Sequence, residues 1–362
     1  MADNSSLGTA RKAKNDEFYT QYCDIEAEMN AYVAYDPDVF RDKTVLCPCD
    51  DPEWSNFVRY FTVNFQRLGL ERLISTSYAN GLMGREAHGR VRVMARDASA
   101  HSDVPIIERD GCLDGDGDFR SDEVTALRDE ADVIITNPPF SLFREFLAWI
   151  LDADKEFAIL GNMNAITYKE VFPLLMDDRI WLGHNEGGSR KGNSVFFVVP
   201  SVYGNKYVTS DEHGTRLMPT SAKWFTNIDH GKRHERLALD TVAHNLKFNK
   251  KLKKKLEKDY RRLEYPHYDN YDAIEVPFTE CIPSDYDGLM GVPITFMDRY
   301  NPEQFVIIGS FNANSEADAS FGYVDSRHVP AISQGKEISW NGPVIDGKPL
   351  YKRIVIQRRG EL

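Results

Sequence analysis

No run of about eighteen uncharged apolar residues occurs in this 362-residue chain, so nothing in it reads as a membrane-spanning helix. Met1 to Asn15 is polar and basic and lacks the apolar segment of a secretion signal. Both absences point to a cytoplasmic protein. Cysteine is scarce: the five, at positions 23, 47, 49, 112 and 281, are odd in number and have no repeated two-residue spacing. That fits reduced thiols rather than a disulfide framework or a zinc site. Also missing is a glycine-rich phosphate loop after the first strand-like run, which argues against a dinucleotide or a nucleoside triphosphate. No carboxylate-carboxylate-lysine cluster on strand-like sequence supports a nuclease.

An overall basic balance is absent too. The formal net charge is -12, whereas nucleic-acid binding normally leaves a basic footprint. The distribution is uneven, however. Lys247 to Arg262 carries nine basic residues against two acidic ones, and Ser99 to Asp132 carries eleven acidic against three basic. Leu252, Leu256, Tyr260 and Leu263 recur at helical spacing within the basic stretch. It reads as an amphipathic basic helix, with Lys250, Lys251, Lys253, Lys254 and Lys255 as candidate phosphate contacts and a solvated face as the alternative.

What is present is alternation of strand and helix. The hydrophobic fraction of 42% allows a sizeable core, and the length suits one large α/β domain plus a smaller module. After a leader over residues 1–15, Asp24 is placed to cap a helix whose face is Ile25, Met29, Tyr32 and Val33. Lys43 to Cys47 reads as a buried strand. The acidic turn Pro48-Cys49-Asp50-Asp51-Pro52 follows it, then a helix with Trp54, Phe57, Val58, Phe61, Phe65 and Leu68 in period and Pro52 in its first turn. Further strands are predicted at 73–78, 104–108, 132–136, 157–160, 180–182 and 195–199. The fold class is therefore α/β: a doubly wound, mostly parallel seven-stranded sheet over residues 16–200 and a smaller irregular module over 201–362. Strands are also expected at Phe305 to Ser310 and Arg353 to Gln357 in that second module.

The strongest chemical signal is Asn137-Pro138-Pro139-Phe140, directly after the apolar run Asp132 to Thr136 and before an amphipathic helix carrying Leu142, Phe143, Phe146, Leu147 and Ile150. The exocyclic amine of a nucleobase is a poor nucleophile because its lone pair is delocalised into the ring. Two fixed acceptors, the Asn137 side-chain oxygen and the Pro138 carbonyl, can draw that nitrogen toward tetrahedral geometry and aim it at a methyl sulfonium. The prolines fix φ, and Phe140 offers a ring on which an extruded base can stack. The plainer alternative is a proline-terminated strand entering a helix.

In the acidic turn, Cys49, Asp50 and Asp51 lie where a carboxylate can accept from a cofactor's ammonium; Asp51 acting merely as a helix cap is the alternative. Pro48-Cys49 resembles a cytosine-carbon nucleophile, but its place ahead of that turn favours a structural cysteine. Asp114 to Ser121 begins like a calcium loop and then lacks the later ligands, so no metal is expected. Asp118 can accept from a cofactor adenine with Phe119 packing its ring, against the alternative of a solvated acidic loop.

With these residues in view, the chain resembles the EcoRI-type adenine-specific DNA methyltransferase family from about Lys14 onward. The matching stretches are residues 14–20 (Lys-Asn-Asp-Glu-Phe-Tyr-Thr), 45–52, 117–121, 136–145, 161–170, 268–276 and 290–296. The resemblance implies S-adenosylmethionine as cofactor, double-stranded DNA as partner, N6 of a flipped adenine as target and recognition elements mostly toward the C-terminus. It also implies that Phe18, Tyr19 and Thr20 close over the methionine end of the cofactor. A monomer is the expectation, in a restriction-modification or phage DNA-modification setting. Ser75-Thr76-Ser77-Tyr78 departs from the wider methyltransferase pattern by lacking the acidic residue that binds the ribose hydroxyls. Methylation of cytosine N4, RNA or a protein glutamine, and a catalytically silent DNA-binding role, remain open alternatives.

Overall fold

The computed structural model describes residues 19–79, 88–97, 104–185, 195–198, 209–210, 214, 216–311 and 321–360. The chain divides into two compact units, Met1–Met163 with Leu182–Gly231, and Asn164–Trp181 with Lys232–Leu362.

In the first unit a short strand, β1 (Tyr19–Thr20), leads into a helix at Tyr22–Tyr35. Ile25, Met29 and Tyr32 are buried on it, as their spacing requires. Asp24 does not cap this helix: Gln21 holds the capping position and Asp24 sits buried inside the first turn. The following strands are β2 (Thr44–Cys47), β3 (Arg72–Ser77), β4 (Arg90–Ala95), β5 (Ile106–Cys112), β6 (Val133–Thr136), β7 (Glu156–Asn162), β8 (Trp181–Leu182), β9 (Val195–Val198), β10 (Thr209–Ser210), β11 (Arg216–Thr220) and β12 (Ala222–Thr226).

Eight of these form one sheet in the order β5-β4-β3-β2-β6-β7-β12-β8. The pairs β2/β3, β2/β6 and β6/β7 are parallel, giving a parallel centre of four strands. The pairs β3/β4, β4/β5 and β7/β12 are antiparallel. Every residue of β2 and β6 is buried, as expected for central parallel strands covered on both faces. From β2 the chain moves to β3 on one side, and from β6 to β7 on the other. The strand order thus reverses between β2 and β6, and the carboxyl ends of those two strands flank the crevice where such sheets bind ligands.

The sheet differs from the expected seven-stranded one in three places. Residues 195–199 were expected as its last strand, but β9 pairs with β1 and β11 in a separate four-stranded sheet ordered β1-β9-β11-β10. β4 escapes recognition because arginine alternates with its buried valines, yet Arg92 stands opposite Asp110 in the β4/β5 register and meets it at 2.9 Å. β12 carries Lys223 at its second position and lies past the expected end of the domain, but all five of its residues are buried. The helix after the acidic turn also begins later than its period suggests. It spans Asn56–Val63 with Ser55 as cap, and Trp54 lies in the preceding turn, 53% exposed.

The second unit contains a four-stranded sheet ordered Ile274–Glu275, Met290–Pro293, Arg353–Arg358, Phe305–Ser310. The expected strands at Phe305 and Arg353 pair antiparallel with a shift of register at Ile307 to Gly309. Glu275 is fully buried in this sheet and is met by the Arg353 guanidinium at 2.7 Å and by the Tyr268 hydroxyl. Gly291 makes room for that hydroxyl, since a Cβ there would lie 2.0 Å from it. The basic stretch forms two helices, Val242–Phe248 and Lys250–Tyr260, broken at Asn249, whose side chain accepts from the Leu252 N–H at 2.9 Å. Leu252 and Leu256 are fully buried as their spacing requires, but the helix ends at Tyr260 and Leu263, expected on the same face, lies beyond it and is exposed. Among the described residues no helix is long and apolar enough to cross a membrane.

Candidate active site

The turn after β2 is built on hydrogen bonds to β3 and β6. Asp50 N–H donates to the Thr76 carbonyl at 2.8 Å, and the Thr76 hydroxyl donates to the Pro48 carbonyl at 2.9 Å. The buried Asp50 carboxylate accepts from the Ser55 hydroxyl through one oxygen and from the Thr136 hydroxyl through the other, each at 2.6 Å. Burial pushes its pKa up to about 6, working against those two donors. Asp51 is half-buried and accepts from the Glu53 N–H at 2.9 Å, with the Ser77 hydroxyl at 3.4 Å. Cys49 is half-buried beside them and Cys47 is buried; none of the five cysteines forms a disulfide.

Thr136 is the last residue of β6, so its bond to Asp50 fixes the strand end from which Asn137 follows. Pro138 is buried, Pro139 accepts from the Leu142 N–H at 2.9 Å, and Phe140–Leu142 makes a single 3₁₀ turn ahead of the Phe143–Leu151 helix. Phe140 packs, partly buried, against the core that holds Phe57, Tyr60 and Trp224. In the parallel register Thr136 stands opposite Ile159, so β7 continues three residues beyond the end of β6. One of these, Gly161, lets Phe143 pack closely, because a Cβ there would lie 2.4 Å from its ring.

The acidic loop before the Asp122–Glu130 helix docks on the end of β3. Ala79 N–H donates to the Asp116 carbonyl at 2.7 Å, and Gly117, at φ +83°, comes so near the Ser77 carbonyl that a Cβ would be 2.3 Å from it. Asp51, Ser77 and the Gly117-Asp118 corner are thereby brought to one end of β2 and β3. The Asp118 carboxylate holds the Arg120 guanidinium at 2.6 Å, which draws its pKa below the usual range. Phe119 is buried, edge-on to Phe146 at 4.9 Å and to Trp149 at 5.6 Å.

The expected lid residues are only partly described. Phe18 lies outside the described residues, and of Tyr19 only the backbone is described, paired with Val198. The Thr20 carbonyl accepts from the Asn56 side chain at 2.8 Å, which ties β1 to the first residue of the helix behind the acidic turn. Thr136, Ser55, Ser77 and Asn56 do not stand out in the sequence as site residues. All but Ser77 lie within five residues of the Pro48 to Pro52 turn or the Asn137 to Phe140 segment, and each acts through a partner distant in sequence or through a turn.

The sequence profile described as "Adenine-specific methyltransferase EcoRI" matches residues 6–359. The chain belongs to the EcoRI adenine-specific methyltransferase family. Within it, the chain is 41% identical to the type II methyltransferase M.EcoRI of Escherichia coli over 88% of its own length and 93% of the relative's. It is 33% identical to M.MpnI of Mycoplasma pneumoniae, over 97% of each chain. It is also 31% identical to M.MgeORF184P of Mycoplasma genitalium, over 97% of this chain and 98% of that one. No solved structure matches the chain.

In this EcoRI-family methyltransferase the five lysines of the basic helix differ in environment. Lys251 pairs with Glu280 at 2.7 Å and lies over the Phe278 ring, and Lys255 pairs with Asp259 at 2.5 Å. Lys250 and Lys254 are exposed and Lys253 is half-buried. The helix thus presents cations to solvent beyond those that Glu280 and Asp259 neutralise.

Proposed function

We propose that this adenine-specific methyltransferase moves a methyl group from S-adenosylmethionine to N6 of an adenine extruded from duplex DNA, in a restriction-modification setting in the cytoplasm. The observation that carries the reading is the position of Asn137-Pro138-Pro139-Phe140 at the switch point of the sheet, tied through Thr136 to Asp50. The Asn137 side-chain oxygen and the Pro138 carbonyl accept the two hydrogens of the adenine amine. They thereby localise its lone pair and stabilise the positive charge that grows on nitrogen in the transition state. Pro138 and Pro139 keep those acceptors from relaxing, so little reorganisation accompanies the reaction. Phe140 gives the extruded base an aromatic face.

The residues fit the cofactor. S-adenosylmethionine supplies an activated methyl on a sulfonium, with an adenosine at one end and an amino acid at the other. The turn after β2 and the Gly117-Asp118 corner converge at the ends of β2 and β3. Asp118 still has lone pairs for an adenine amine beyond those engaged by Arg120. Cys49 and Asp51 line the same turn, and Asp50 acts as its internal brace. Phe119, packed edge-on against Phe146 and Trp149, supports the adenine side of that corner. Phe18, Tyr19 and Thr20 cover the amino-acid end. Lys250, Lys253 and Lys254 of the second unit are the main contacts to DNA phosphates, and Lys251 and Lys255, paired with Glu280 and Asp259, contribute less.

Mass spectrometry of nucleosides, after the purified protein has acted on unmethylated genomic DNA with labelled cofactor, tests the reading. Labelled N6-methyl-2′-deoxyadenosine is the expected product. Label on cytosine N4, on RNA or on protein in its place contradicts it.

A further inference from the structure

The Tyr22–Tyr35 helix buries two carboxylates one turn apart, Asp24 and Glu28, and they are treated differently. Glu28 is fully engaged: it accepts from the Tyr32 hydroxyl at 2.5 Å and from the backbone N–H groups of His184 and Asn185 at 2.9 and 2.6 Å. Asp24 is 4% exposed, and its Oδ2 has no hydrogen-bond partner. Thr20, four residues earlier, is also 4% exposed, with an Oγ1 that has none. A buried carboxylate oxygen and a buried hydroxyl left unmet are strongly disfavoured unless something outside the chain completes them. Burial alone pushes the Asp24 carboxyl up to about 6, with only Asn185 opposing the shift.

The missing partner of the Asp24 oxygen is a donor, and a buried carboxylate oxygen with none suits a cation with several N–H bonds. Thr20 is held by its carbonyl to Asn56, the first residue of the helix that follows the acidic turn, and Asp24 lies four residues further on, in the first turn of the Tyr22–Tyr35 helix. The carboxylates of the acidic turn, by contrast, leave no buried oxygen unmet. Both Asp50 oxygens hold hydroxyl donors, while Asp51 is engaged by Glu53 N–H and Ser77 and keeps access to water.

We infer that Asp24, assisted by the Thr20 hydroxyl, receives the α-ammonium of the cofactor's amino-acid end. The inference rests on the methyl-donor reading above. It moves the ammonium contact from the acidic turn to the Tyr22–Tyr35 helix, and leaves Asp50 as a brace between β2 and β6.

Isothermal calorimetry with S-adenosylhomocysteine, and with 5′-methylthioadenosine, which lacks the amino-acid end, tests it on the full chain. Asp24→Asn keeps the volume of the side chain and removes its charge. It is expected to weaken S-adenosylhomocysteine binding about tenfold or more while changing 5′-methylthioadenosine binding by less than about twofold. Thr20→Val, which removes only the hydroxyl, is expected to show a smaller loss with the same selectivity and guards against misfolding of the first variant. Equal losses for both ligands, or none for either, overturn the inference. Failure of the unaltered protein to bind S-adenosylhomocysteine overturns the methyl-donor reading itself, a result separable from the first because it needs no variant.

Discussion

The Thr136 hydroxyl donates to the Asp50 carboxylate at 2.6 Å, joining the last residue of β6 to the turn that closes β2 across 86 positions of sequence. Asp50 passes the constraint on through its second oxygen to Ser55, the cap of the next helix. One carboxylate therefore sets the spacing between the proposed cofactor turn and the strand end that presents Asn137. Thr136→Val keeps the shape of the side chain and removes the donor. It is expected to cost about 1–3 kcal/mol in denaturant unfolding, because a buried oxygen of Asp50 loses its partner, and to slow methyl transfer more than it weakens cofactor binding.

The same carboxylate gives a pH dependence. In the folded chain its pKa is raised from 3.8 to about 6, so between those values the folded state holds a proton that the unfolded state has released. Stability from this group is complete below pH about 4 and is lost as pH rises through about 6. Asp24, raised to about 6 as well, acts in the same direction. Urea unfolding from pH 4 to 7 should show stability falling across that window, and Asp50→Asn should flatten the slope without abolishing it. An unchanged slope in the variant contradicts the assignment.

Gly117 is required by both its conformation and its neighbour: φ is +83° and a Cβ would lie 2.3 Å from the Ser77 carbonyl. The obstacle is backbone, which cannot swing aside. Gly117→Ala is expected to destabilise the chain by about 1–3 kcal/mol and to weaken S-adenosylhomocysteine binding by displacing Asp118. Calorimetric titration and thermal melting measure the two effects.

How far these features show in the sequence depends on where their partners lie. β2, β3, β6 and β7 stand out because central strands leave apolar runs. β4 does not, since Arg90 and Arg92 interrupt its pattern, and the residues that neutralise them, Glu53 and Asp110, are far away in sequence. β9 is recognisable as a strand, but its sheet is decided by pairing with β1, at the opposite end of the first unit's sequence. In the site, Asn137 to Phe140 announces itself as a tetrapeptide after an apolar run. Asp24 reads as a helix cap because an acidic residue near a helix start has that ordinary explanation, and only its burial and unmet oxygen set it apart. Thr136 carries no signal of its own, because its role comes from the adjacency of β2 and β6.

The basic helix is expected to separate its lysines by function. Replacing Lys250, Lys253 and Lys254 with glutamine should weaken DNA binding and reduce the slope of log affinity against log salt by about two to three. Replacing Lys251 and Lys255, which carboxylates already neutralise, should change the slope less. Fluorescence anisotropy over a salt series measures both, and an unaltered slope in the triple variant makes the helix a solvated face.

The central claim is that Asn137 activates the adenine amine. Single-turnover methyl transfer to unmethylated DNA, with N6-methyladenine quantified by mass spectrometry, tests it in the unaltered protein and in Asn137→Ala. The variant is expected to lose about a hundredfold or more in the transfer rate while S-adenosylhomocysteine and DNA affinities hold. Transfer within a few-fold of the unaltered rate contradicts the role given to Asn137.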